Sequence, residues 1–162
     1  MTVDEQLQAF VAFSAAITGF TPIDLHGTGQ ADAYRSTVAE TTGGDVLAEL
    51  LEAWTRVCDE AQGDSSSIQR LLRREIFSDP KLGPVARNIV KLWYVGIWYE
   101  LPPAWIDAFG ALEENYTFTV SASAYTNGML WTAIGGNPPG ARGPGYGSWA
   151  GPPRFPGVAE GN

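Results

Sequence analysis

Cysteine and histidine are almost absent: the chain of 162 residues holds one of each, Cys58 and His26. A single thiol excludes an internal disulfide and any cysteine-built metal cluster, and its helical-core spacing marks Cys58 as a buried apolar group. His26 stands in a glycine-flanked loop, with no cysteine partner and no GxSxG nucleophile, so a solvated histidine is the simpler reading. No Asp, Glu and His share a helix face at metal-ligand spacing, and Glu49/Glu52 and Glu113-Glu114 read as solvated faces. Charge is scarce at 17% and leans acidic, for a formal net charge of −8, which disfavours nucleic acid and anionic membrane as partners. No apolar run approaches a membrane span. The opening MTVDEQLQAF has neither the basic nor the apolar part of an export leader. The chain is therefore expected to be cytosolic, to have lost a leader, or to travel with a partner that carries one.

What the chain does have is apolar and aromatic mass: 44% hydrophobic residues, with six Trp, six Tyr and seven Phe. That is enough for one folded domain, and the aromatic excess suits a surface buried against a partner. The pattern predicts an all-α domain of five to seven helices over residues 1–136. Thr2-Val3-Asp4-Glu5 is a capping box before Leu7, Phe10, Val11, Ser14 and Ile17, and Gly19 stops that helix. Thr21 to Gly29 reads as a loop, followed by a helix from about Gln30 to Thr41 that Gly43-Gly44 ends. Asp45 is expected to cap the next, whose Leu47, Leu50, Leu51, Trp54, Val57, Cys58 and Ala61 form one stripe. Asp64 or Ser65 caps a helix carrying Ile68, Leu71, Leu72 and Ile76, and a turn at Ser78 to Pro84 leads into another.

That helix is expected to run through Val85, Ile89, Leu92, Trp93, Gly96 and Ile97 until Pro102-Pro103. Its second half, LWYVGIWYE, is apolar all round, which predicts burial by the core on one side and by something else on the other. Tyr116 to Val120 reads as a short extended piece, and Ser121 to Gly135 as a final helix with Tyr125, Met129, Trp131 and Ile134. The sequon Asn115-Tyr116-Thr117 reads as chance.

Residues 137–162 form a different kind of segment. The stretch NPPGARGPGYGSWAGPPRFPG holds six prolines and six glycines, and neither a helical nor a strand period survives there. Its glycine-rich part is no phosphate loop, since prolines stand where amide donors are needed. Tyr146, Trp149 and Phe155 nevertheless stand in it, and aromatic side chains spaced along an extended arm are a means of gripping another protein. The plainer reading is a tail that folds back over its own domain. The expected partner interface comprises Trp93, Tyr94, Trp98, Tyr99 and Trp131 on the domain, with Pro138, Pro139, Tyr146 and Trp149 on the arm.

Three stretches together carry a resemblance: FVAFSAAITGF (Phe10 to Phe20), FSDPKLGPVARNIVKLWYVGIWYELP (Phe77 to Pro102) and VSASAYTNGMLWTAIGGNPPGARGPGYGSWAGPP (Val120 to Pro153). They resemble the small subunit of bacterial membrane-associated, FAD-dependent sugar and polyol dehydrogenases, the sorbitol dehydrogenase small-subunit family. The resemblance implies a chaperone-like, non-catalytic subunit bound to a large flavoprotein of the glucose–methanol–choline oxidoreductase type, needed for its maturation and often its export. FAD, the catalytic histidine and alcohol oxidation would belong to that large subunit, no cofactor to this chain, and a cytochrome c subunit often takes the electrons. The family's usual twin-arginine leader is missing here, and Thr21 to Thr42 does not match it closely. Two other readings remain open: a general interaction module with an unrelated partner, and a stand-alone helical enzyme using His26, Glu113 or Glu114.

Overall fold

Four long helices, α1 (Val3–Thr18), α3 (Ala31–Thr42), α4 (Gly44–Ala61) and α6 (Leu82–Val95), build the body of the molecule. The computed structural model describes residues 1–110 and 112–136. The architecture is all-α, as the periodicity predicts, with one two-stranded ribbon. The arm, 137–162, lies outside the described residues, as do Pro138, Pro139, Tyr146 and Trp149.

The helix starts follow from short polar side chains at the right offsets. Thr2 Oγ1 accepts from the Glu5 N–H (3.2 Å) while the Glu5 carboxylate accepts from the Thr2 N–H (2.6 Å), the reciprocal pair that opens α1. Thr21 and Asp24 repeat the device (3.0 and 3.2 Å) and, with Pro22 at the first helical position, open α2 (Pro22–Gly27). This corrects the loop expected at Thr21 to Gly29: the residues that read as turn formers also serve as cap and first helical residue. The cap of α4 also differs from expectation, since Gly43 (φ 101°) serves both as the end of α3 and as the start of α4, with Asp45 in the first turn. Asp64 caps α5 (Ser65–Leu71), which continues through a π-helical turn at Leu72–Phe77.

The largest departure is at the end of α6. Gly96 takes a left-handed conformation (φ 70°) and stops the helix at Val95. Ile97–Trp98 then forms β1, antiparallel to β2 (Phe118–Thr119), in the register Ile97↔Thr119 and Trp98↔Phe118. Helix α7 (Pro103–Phe109) follows β1, and the single helix expected at Ser121 to Gly135 is two short ones, α8 (Ala122–Thr126) and α9 (Met129–Ala133). Gly128, with an extended ψ of 132°, caps the second, and it has no room for a side chain, since a Cβ there would lie 2.7 Å from the Tyr94 carbonyl oxygen.

The core runs through α1, α3, α4 and α6. Tyr34 and Trp93 meet edge-on (4.9 Å, 87°), as do Phe13 and Trp54 (5.9 Å, 61°), with Leu47, Leu50, Leu51 and Ile89 fully buried around them. Each fully buried side chain of this size contributes roughly 1.5–3 kcal/mol relative to exposure. Among the described residues no helix is long and apolar enough to cross a membrane.

Candidate partner-binding surface

The five domain residues expected at an interface divide by burial. Trp93 (1% exposed) and Trp98 (0%) belong to the chain's own core and offer no surface. The reason is the change of geometry at Gly96: the run passes from helix to strand, so two residues that one helix would point in different directions both face inward. Trp98 Nε1 donates to Asn115 Oδ1 (3.2 Å), whereas Trp93 Nε1 is buried without an acceptor among the described residues.

Tyr94, Tyr99 and Trp131 are half-buried. The Tyr94 ring packs 5.5 Å from Phe20 and its hydroxyl donates to the Thr18 carbonyl (3.3 Å). Tyr99 lies under the Lys91 ammonium (4.7 Å to the ring centroid), and its carbonyl accepts from Asn88 Nδ2 (2.6 Å). Trp131 Nε1 donates to the Tyr125 carbonyl (3.1 Å) and its ring meets the Tyr125 ring edge-on (5.7 Å).

Three stretches far apart in sequence converge at this end of the molecule. Thr18, the last residue of α1, and Phe20 just beyond it touch Tyr94 of α6. A Cβ on Gly96 would lie 2.6 Å from the Ala124 carbonyl carbon, and Gly128 is equally tight against Tyr94. The Val120 N–H donates to the Gly96 carbonyl (3.0 Å). Two glycines therefore allow α8 and α9 to lie directly on the last turn of α6, which a side chain at either place would prevent.

Beside this contact, α2 and the α8–α9 segment enclose an open cleft of about 310 Å³, lined by Asp24, Gly27 and Thr28 on one side and by Asn127, Trp131 and Gly136 on the other. Gln30 Nε2 donates to Ser123 Oγ (3.0 Å), tying the start of α3 to α8. Ile23 (83% exposed) and Ile134 (64%) adjoin these lining residues in the chain. A second cleft of about 440 Å³ lies between the α3–α4 junction and the end of α7, where Phe109 and Leu112 are exposed, as is Tyr116 further on. Of these exposed side chains sequence reading named only Ile134, which it assigned to a helix face, and Tyr116, which it placed at the start of an extended piece. Exposure depends on what packs above a residue: in α2 Ile23 is exposed while Leu25, two residues on, is fully buried.

The reactive groups are dispersed. His26 is exposed in the last turn of α2, and Glu113 and Glu114 are exposed in a turn before β2. Among the described residues no three His, Cys, Asp or Glu side chains gather to hold a metal ion. Cys58 is half-buried, and burial followed by the neighbouring Asp59 charge raises its thiol pKa, which keeps it protonated. Burial likewise raises the Tyr34 hydroxyl. Among the described residues the first cleft offers mainly uncharged polar and apolar contact area, with one carboxylate, Asp24. No family model, curated protein or solved structure matches the chain.

Proposed function

We propose that this chain is the non-catalytic small subunit of a heteromeric FAD-dependent alcohol or sugar dehydrogenase, which stabilises and helps mature a large catalytic subunit of the glucose–methanol–choline type. The observation that carries the reading is the convergence of the three stretches that bear the family resemblance. Phe20, Tyr94, Gly96, Ala124 and Gly128, drawn from all three, meet in one region. Their meeting makes one structural unit of the three stretches, with Phe20 and Tyr94 half-buried at its edge, and that supports reading them together. The flavin and the alcohol chemistry belong to the partner in this reading, and a cytochrome c subunit is a natural electron acceptor.

Co-production tests it. The chain made together with a flavoprotein encoded beside it should co-purify as a stoichiometric, flavin-loaded complex and be poorly soluble or self-associated alone, given its exposed apolar side chains. A monodisperse, soluble chain with no affinity for that flavoprotein would overturn the proposal.

A further inference from the structure

Pro84, Arg87, Asn88 and Lys91 share one face of α6, each three or four residues from two of the others. With Glu100, Leu101 and Pro102, which follow β1, they line a cavity of about 180 Å³. That volume falls below the roughly 300–1,000 Å³ of sites for drug-sized ligands, which limits an occupant to a few non-hydrogen atoms. Aromatic rings, not carboxylates, position the two cations. Arg87 donates to the Phe77 carbonyl (2.9 Å) with its guanidinium carbon 5.8 Å from the Phe77 ring centroid, and the Lys91 ammonium stands 4.7 Å from that of Tyr99. Neither makes an ion pair among the described residues, although Glu100 shares the cavity. The lining therefore carries two positive charges against one negative, in a chain of net charge −8.

We propose that this cavity binds a short hydroxy acid, with its carboxylate between Arg87 and Lys91 and its hydroxyl donating to Asn88 Oδ1. Like charges one helical turn apart repel each other, and an anion between them removes that cost and accepts charge-assisted hydrogen bonds from both. Asn88 supplies the second half of the site. It is 3% exposed, and its Nδ2 donates to the Tyr99 carbonyl (2.6 Å), which fixes the amide's orientation. No group among the described residues donates to its Oδ1. A buried acceptor left without a donor is costly, and a hydroxyl beside the carboxylate satisfies it.

Pro84, Leu101 and Pro102 present hydrocarbon to the occupant's carbon chain. An amino acid would bring an ammonium toward two cations, and the second carboxylate of a diacid would meet Glu100, so a monocarboxylate with a neutral donor fits the lining best. The cavity shares no residue with the contact of α6 with α8 and α9, so hydroxy-acid binding does not depend on the partner reading.

Lactate is the probe, titrated into the full chain while the Asn88 side-chain amide is followed by nuclear magnetic resonance. A saturable shift is expected. Lactamide, which lacks the charge, should bind at least about tenfold more weakly, and propionate, which lacks the hydroxyl, at least about threefold. Lys91 is exposed, so Lys91→Gln should keep the helical circular dichroism and weaken lactate by about tenfold. Glu100→Gln, which removes the competing carboxylate, should tighten lactate several-fold. A shift that rises in proportion to lactate without saturating, lactamide as tight as lactate, or an affinity that neither substitution alters would overturn the proposal. Propionate as tight as lactate would also overturn it, by removing Asn88 from the site. Inorganic phosphate as tight as lactate would do so by leaving only a patch for anions in general.

Discussion

Asn115 holds β1 and the stretch that follows it in place with one oxygen. Its Oδ1 accepts from Trp98 Nε1 and from the Leu101 N–H, each at 3.2 Å, and both donors are buried. Removing the acceptor strands two donors in a place water does not reach, and each orphaned donor costs about 1–3 kcal/mol. Asn115→Ala is therefore expected to lower unfolding stability by roughly 2–4 kcal/mol in urea titration. A change under about 1 kcal/mol would show that the loop relaxes to let water in. The same burial (7% exposed) closes the Asn115-Tyr116-Thr117 sequon to modification in the folded chain. Asp64 gives a residue-scale prediction in pH. Hydrogen bonds from Ser67 and Ser66 hold its carboxyl down to about 2, below the usual 3.8. A depressed folded pKa adds stability above the ordinary pKa, and that stability drains away as pH falls toward the folded value. The gap in melting temperature between the native chain and Asp64→Ala should be widest near neutrality and shrink as pH falls from about 4 to about 2. A gap that stays constant through that window contradicts the assignment.

Among the elements, α8 and α9 are the ones least able to stand alone. Each has five residues, too few for a helix to persist without tertiary support. Their support is the last turn of α6, reached through Gly96 and Gly128. Gly96→Ala places a Cβ in a left-handed residue, at about 1–2 kcal/mol, and against the Ala124 carbonyl as well. Faster hydrogen exchange across residues 121–136, with α4 protection unchanged, is the expected result; uniform loss of protection would mean that the segment is part of one cooperative core. These elements also mark where sequence reading stops. Helix α1 was legible because cap, stripe and terminating glycine lie next to one another in the chain, and α4 by its stripe, although its cap is Gly43 rather than Asp45. The end of α6 was not, since Gly96 is an unremarkable helix residue until its contact with Ala124 is known. Trp93 and Trp98 read as a two-sided apolar helix for the same reason, and the interface expected there is core. Tyr94, Tyr99 and Trp131 stay half-buried, with ring contacts to Phe20, Lys91 and Tyr125 respectively.

At the level of the whole molecule, the proposed role gives this chain a surface and an arm and leaves the redox chemistry to its partner. His26, exposed at the end of α2, is then a bystander, and His26→Ala should leave the turnover of the assembled complex nearly unchanged. A large fall in kcat at unchanged flavin content would mean that this chain reaches the active site. The central claim is that the domain folds by itself while the segment after Gly136 grips the large flavoprotein. Aromatic anchors at interfaces are worth about 2 kcal/mol or more each, so the loss of Tyr146 and Trp149 together would weaken the complex by more than tenfold. The most direct measurement compares the full chain with one ending at Gly136, each co-produced with the flavoprotein. Helical circular dichroism, complex affinity and flavin content are read for both. The account predicts unchanged helical content in the shortened chain, affinity lower by more than about tenfold and less flavin-loaded partner. A shortened chain that unfolds, while binding per folded molecule stays the same, would contradict it and make the arm a piece of this domain's own core.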